Sequence, residues 1–91
     1  MDDFNGGFGG HVVIAGHTDK LPIYNQRFHS NWELSAARAI AVVKVLAESV
    51  EPARVSAAGF AEFQPRGDNE TDDGRAANRR IEITLRIEDE G

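Results

Sequence analysis

The chain is a series of short apolar runs separated by polar, glycine-marked loops, and the period of each run predicts the element it forms. Val12-Val13-Ile14-Ala15 is continuous, rich in β-branched residues and ended by Gly16. It predicts a strand buried on both faces. From His17 to Ser30, Pro22, Asn25 and scattered polar residues predict a long loop. Ser30-Asn31-Trp32-Glu33 has the spacing of a capping box, with Ser30 as N-cap and Glu33 reaching back. A helix should follow to about Ser49 and stop before Pro52, because proline pushes the residue before it out of helical geometry. Val55–Phe60 predicts a second strand, closed by Gly59, and the stretch from Glu62 to Asp73 predicts a polar loop. Asp72 or Asp73 is the expected cap of a helical turn through Ala77. In the last segment Ile81, Ile83, Leu85 and Ile87 alternate with Glu82, Thr84, Arg86 and Glu88, the pattern of a strand with one buried and one wet face.

Strand, helix, strand in that order is a βαβ unit, so the first two strands should run parallel through a right-handed crossover. The final strand is expected to pair antiparallel. The fold class is therefore α/β, an α+β sandwich with a mixed sheet. A strand buried on both faces needs cover on both sides, yet only one long helix is predicted. The cover is missing at the front, or a second copy of the chain supplies it.

Ninety-one residues make one domain at most. Residues 1–10 hold four of the nine glycines and are expected to form a disordered leader, since glycine-rich backbone loses much entropy on ordering. The domain is expected over 11–88, with an acidic tail at 89–91. A net charge of −5 is the wrong balance for a nucleic-acid binder. With no cysteine there are no disulfides and no thiolate zinc sites. No apolar run approaches the ~20 residues of a membrane-spanning helix.

Winding Asn31–Ser49 at the helical period puts Leu34, Ala41, Val42, Val45 and Leu46 on one broad apolar arc. Glu33, Lys44 and Glu48 lie opposite. Arg38 falls inside the apolar arc, where a guanidinium must meet an anion or reach an opening, because an unpaired buried charge is costly. Helical side chains lean toward the helix N-terminus, which should face the edge where Gly16-His17-Thr18-Asp19 leaves the first strand. Ligands of open α/β sheets favour that edge. Asp19 and Arg38 are thus expected to face one another across a small cleft. Two readings stay open on this pattern: an internal salt bridge with no ligand, or a clamp in which the carboxylate takes an ammonium and the guanidinium takes a carboxylate.

Four blocks carry a resemblance. Gly16-His17-Thr18-Asp19, then Asn31-x-x-Leu34-Ser35-x-x-Arg38-Ala39, then Gly59-Phe60-x-Glu62-x-x-Pro65, then Gly74-Arg75-x-x-Asn78-Arg79-Arg80-Ile81-Glu82 resemble the OmpA-like peptidoglycan-binding family, in the family's order across roughly His11–Ile87. Asn31–Ala39 and the longer loop with Leu21-Pro22-Ile23 are most similar to the family's flagellar stator B branch (MotB-type). The resemblance implies an OmpA-C-like βαβ(α)β fold and a periplasmic, non-catalytic module. Such a module would bind meso-diaminopimelate of the peptidoglycan stem peptide and anchor its parent protein to the cell wall. It implies that Asp19 takes the ammonium and Arg38 the α-carboxylate. Thr18, Asn31 and Leu34 would line the same pocket, Leu34 partly through its backbone, and Arg79 would stand near the rim. The family's first strand and helix have no counterpart in Met1–Gly10, so the resemblance also implies an N-terminally truncated domain whose last strand has an open edge. Two chains are expected to pair or swap across that edge. The alternatives are a fragment that acts only as an assembly element, or the anchor of another OmpA-like outer-membrane protein or lipoprotein.

Other chemistries fit less well. His11, His17, His29 and Asp19 match no standard zinc spacing, so neither metal nor cofactor is expected. A hydrolase would need a nucleophile, a base and an orienting group named together, and no G-x-S-x-G motif is present. Trp32, at the first helical turn, is expected to pin the loop against the domain. Glu62, Phe63 and Pro65 are expected to shape their loop.

Overall fold

A computed structural model describes residues 10–87 and follows the predicted order of elements. Strand β1 spans Gly10–His17, helix α1 Asn31–Leu46, a single 3-10 turn Pro52–Arg54, strand β2 Val55–Gly59, helix α2 Asp72–Asn78 and strand β3 Arg80–Ile87. The sheet order is β2-β1-β3, with β1 parallel to β2 and antiparallel to β3. This is the expected α/β arrangement with a mixed sheet, and the apolar run falls on the central strand. The leader and the acidic tail expected at the two ends lie outside the described residues. The exception is Gly10, which opens β1 opposite Ile87.

Ser30 caps α1 as predicted, its hydroxyl accepting from the Glu33 amide at 3.3 Å. The reciprocal arm shifts by one residue, because the Glu33 carboxylate accepts from the His29 amide at 3.0 Å. The regular helix ends at Leu46, not Ser49, and unwinds through one more loose turn in which Ser49 and Val50 both donate to the Leu46 carbonyl. Thr71, rather than either aspartate, caps α2; its hydroxyl accepts from the Gly74 amide at 2.9 Å.

The helix buries its apolar arc only in part: Leu34, Val42 and Leu46 are half-buried, and the deepest positions are small or polar residues. Its buried positions are Asn31, Ser35 and Ala39, continued by the partly buried Val42, Val43 and Leu46. Val45 is 67% exposed, and Ala41 and Arg38 are exposed too. Small residues win the seam because the helix backbone lies directly on the strand ends. A Cβ added at Gly16 would stand 2.1 Å from the Ser35 carbonyl oxygen, and one at Gly59 would stand 2.7 Å from the Ala36 nitrogen. The core of Val12, Ile14 and Ala39, with Val55 and Ile81 packed against it, fills the space beneath.

Register places Ile81, Ile83, Leu85 and Ile87 opposite Gly16, Ile14, Val12 and Gly10, so all four lie on the face that carries α1. The alternation is real, but its expected burial is not met beyond Ile81. Ile83, Leu85 and Ile87 are 63%, 54% and 67% exposed. The reason is topological: α1 belongs to the β1–β2 crossover and packs on those two strands, leaving β3 without a covering layer among the described residues.

Replacing Gly16 by Ala should force the helix off the sheet and lower the unfolding free energy by about 1–3 kcal/mol. Urea denaturation would read the change, and an unaltered midpoint would mean that the helix does not depend on this close approach.

Candidate ligand-binding site

Past His17 the chain leaves β1 beside the start of α1 and turns sharply. The buried Thr18 fixes the turn: its amide donates to the Ala61 carbonyl at 2.9 Å and its hydroxyl to the Asp19 carbonyl at 2.8 Å. Asn31, buried at the head of α1, donates its side-chain amide to the carbonyls of Leu21 at 3.2 Å and Asp19 at 3.4 Å. These bonds press the Asp19–Leu21 backbone against the helix. The Asp19 carboxylate, itself nearly buried, accepts from the Leu21 amide at 3.0 Å through one oxygen and from the Arg79 guanidinium at 2.7 Å through the other.

All six residues singled out from the sequence, Thr18, Asp19, Asn31, Leu34, Arg38 and Arg79, line one hollow of about 230 Å³ together with Leu21, Pro22 and Ile23. That is below the roughly 300–1,000 Å³ of drug-sized sites, a volume for an end group rather than a whole small molecule. The contacts inside it differ from expectation in three ways. Asp19 pairs with Arg79 and not with Arg38, so the internal Asp19–Arg38 salt bridge is not formed. Arg38 is exposed on a helix flank rather than held in an apolar arc, and it makes no ion pair or hydrogen bond among the described residues. The Leu34 amide donates to the Ser30 carbonyl at 3.1 Å inside the helix, which leaves its side chain to line the hollow. The site thus holds one carboxylate and two guanidiniums. With one guanidinium already paired, the uncompensated charge is the positive one on Arg38.

Several supports were not foreseen. The buried Ser35 hydroxyl accepts from the Ala61 amide at 3.0 Å and donates to the Trp32 carbonyl at 3.1 Å. Ala61 itself stands in the left-handed region at φ 55°, where a Cβ is disfavoured. Asn78, fully buried, accepts from the Arg66 and Gly67 amides at 2.7 Å each and donates to the Gly67 carbonyl at 3.1 Å. It braces the loop before α2 and so sets where the next residue, Arg79, begins. The only sequence signal for these roles is that Ser35 and Asn78 recur inside the quoted blocks. Trp32 is 54% exposed and leans on Phe63 of the loop after β2, so it is not the buried aromatic expected. Among the described residues no three His, Asp or Glu side chains come together as a metal site.

Behind the site, the buried His17 ring stacks on Phe60 at 5.2 Å between centroids, and neither ring nitrogen has a hydrogen-bond partner. Burial first, and then the Arg80 guanidinium, hold its pKa below 6.5, against a smaller opposing effect of Glu82. The hydrogen bond from Arg80 holds the Glu82 carboxyl below its usual value.

Fold and hollow together define a small α/β domain with a charged hollow at the edge where the central strand meets the long helix. Residues 9–79 match the OmpA family, and the chain belongs to it. Motility protein B of Bacillus subtilis (strain 168) is 43% identical over 76 residues, covering 81% of this chain and 29% of that protein. The cell wall anchor of the T6SS from Pseudomonas aeruginosa superposes with a TM-score of 0.82 at 39% identity, over 94% of this chain and 61% of that one. The periplasmic domain of Helicobacter pylori MotB gives 0.80 at 33% identity, over 89% and 51%. The chain therefore spans less than a third of the first of these proteins.

His17 gives the domain a pH dependence. The fold keeps the ring neutral while the unfolded chain protonates it near 6.5, so stability should fall as pH drops below about 6.5 and level off below the folded-state pKa. The Glu82 contribution should be lost only further down, below about 4.5. Urea midpoints of the wild type and His17→Gln between pH 7 and 5 would read the first effect; parallel curves would exclude His17 as its source.

Proposed function

We propose that this chain is a non-catalytic peptidoglycan-binding module that grips the diaminopimelate of a stem peptide and so anchors its parent protein to the cell wall in the periplasm. The observation that carries the reading is the unpartnered Arg38 guanidinium sharing a hollow with the Asp19 carboxylate. An end group bearing both an ammonium and a carboxylate satisfies both. The carboxylate meets Arg38 through parallel hydrogen bonds, and the ammonium meets Asp19, joining or displacing Arg79. Thr18 and Asn31 keep the carboxylate in place, and Leu34 gives an apolar wall for the carbon chain. Each charge-assisted contact contributes about 1.5–3 kcal/mol, so one stem peptide binds weakly and firm anchoring needs several copies.

The parent we favour is a flagellar motor stator subunit. The support is the similarity to motility protein B and the Leu21-Pro22-Ile23 segment, which here forms one wall of the hollow. The anchor of another OmpA-like outer-membrane protein or lipoprotein is the alternative, and the sequence upstream in the parent gene decides between them.

An NMR titration with a diaminopimelate-containing muropeptide should shift Thr18, Asp19 and Arg38 first. Arg38→Ala or Asp19→Asn should abolish those shifts and sacculus pull-down while circular dichroism stays unchanged. Equal loss of fold in both variants would reduce the two residues to a structural role.

A second reading is favoured by the uncovered face. Ile83, Leu85 and Ile87 are exposed on a strand with no neighbour on its outer side among the described residues, so two copies would pair along β3. Sedimentation should then show a concentration-dependent dimer that Leu85→Lys abolishes; a strict monomer at high concentration excludes it.

A further inference from the structure

We propose that Trp32, Phe63 and Glu62 form a second subsite, one that takes an N-acetylhexosamine ring of the glycan strand beside the hollow that takes the peptide. The proposal rests on the peptidoglycan reading above and extends it from the stem to the sugar.

Trp32 and Phe63 are 54% and 62% exposed. Their ring centroids lie 5.3 Å apart with the planes tilted by 33°. They therefore form an open, angled wall and not a closed core contact. Beside them is a hollow of about 220 Å³ into which Glu62 also faces. Glu62 is half-buried and makes no hydrogen bond or ion pair among the described residues. A partly desolvated carboxylate that accepts from nothing costs free energy unless a ligand supplies donors. Two open aromatic faces next to a group that only accepts match the two sides of a pyranose. Its axial C–H surface lies on the rings, and its hydroxyl and acetamido N–H groups donate to the carboxylate.

The backbone aims this corner. Ala61, directly before Glu62, is held at φ 55° by bonds to Ser35 and Thr18. Non-glycine residues keep such a conformation only where the surroundings impose it, and these residues cluster at ligand sites. Here the left-handed step sends Glu62 and Phe63 toward Trp32. The same Ala61 carbonyl accepts from Thr18, so one peptide unit supports both hollows.

Pro22, Ile23 and Asn31 line both hollows. In peptidoglycan the diaminopimelate is the third residue of a stem attached to the sugar, which puts it about 10 Å along an extended chain from the ring. The lactyl carboxyl of the muramic ring is an amide in an intact strand, so no like charge meets Glu62.

Trp32 is the one tryptophan of the chain, so its fluorescence reports the subsite directly. Titration with N,N′-diacetylchitobiose, which is neutral and carries no peptide, should change its emission saturably. Phe63→Ala and Glu62→Gln should each weaken that binding by roughly threefold to tenfold. Phe63 is exposed, so its truncation spares the core, and circular dichroism would verify this. A peptide-only diaminopimelate ligand should bind the wild type and Phe63→Ala equally. No saturable change of emission, or one that Phe63→Ala leaves untouched, overturns the sugar subsite. A peptide that fails to bind while the chitobiose result stands overturns the peptide reading alone.

Discussion

The contact between the first turns of α1 and the ends of β1 and β2 governs everything else in the domain. It depends on two positions without a side chain, Gly16 and Gly59, where the helix backbone approaches closer than any Cβ allows. From that contact follow the small-residue seam of Asn31, Ser35 and Ala39 and the burial of Ile14 beneath it. The placement of Asn31, Leu34 and Arg38 around the turn that carries Asp19 follows as well. A helix set a few ångströms higher would still cover the core, but its first turns would no longer wall the hollow.

Within the hollow, charge is distributed unevenly. Asp19 is held on both oxygens, by a backbone amide and by Arg79, whereas Arg38 has no partner among the described residues. Arg79 is 46% exposed, and ion pairs open to solvent add little stability, so the Asp19–Arg79 contact serves to orient the carboxylate. In the proposed binding mode the unbalanced cation would select a ligand carrying a carboxylate. Asp19, with its oxygens fixed at 3.0 and 2.7 Å from their donors, adds the requirement for a cation close by.

The exposed apolar row on β3 and the exposed Val45 lie on the same side of the sheet. The opposite face behaves differently: there the Arg80–Glu82 pair and the stacked His17 and Phe60 rings cover the end of β1 nearest the site. The sheet is thus closed where the candidate hollow needs rigidity and open at the far end of β3.

Local pattern determined a good deal. The apolar run of β1, the Ser30 cap, the crossover and the alternation of β3 are all periodic or short-range features, and each formed where its residues placed it. The six residues that line the candidate hollow were legible as a set, because they fall in quoted blocks and the βαβ topology returns those blocks to one edge. What pattern could not supply is the choice of partner. Asp19 meets Arg79 across 60 residues of sequence, and Trp32 meets Phe63 from a separate loop, next to an Ala61 in the left-handed region. Burial also escaped it. Hydrophobicity ranked Val45 and Leu85 as core, but α1 is drawn down onto glycines over two strands, so small residues fill its closest approach while Val45 and Leu85 stay exposed. Periodicity reports which side of an element is apolar; only the packing of distant segments decides which apolar side is covered and which charge is left without a partner.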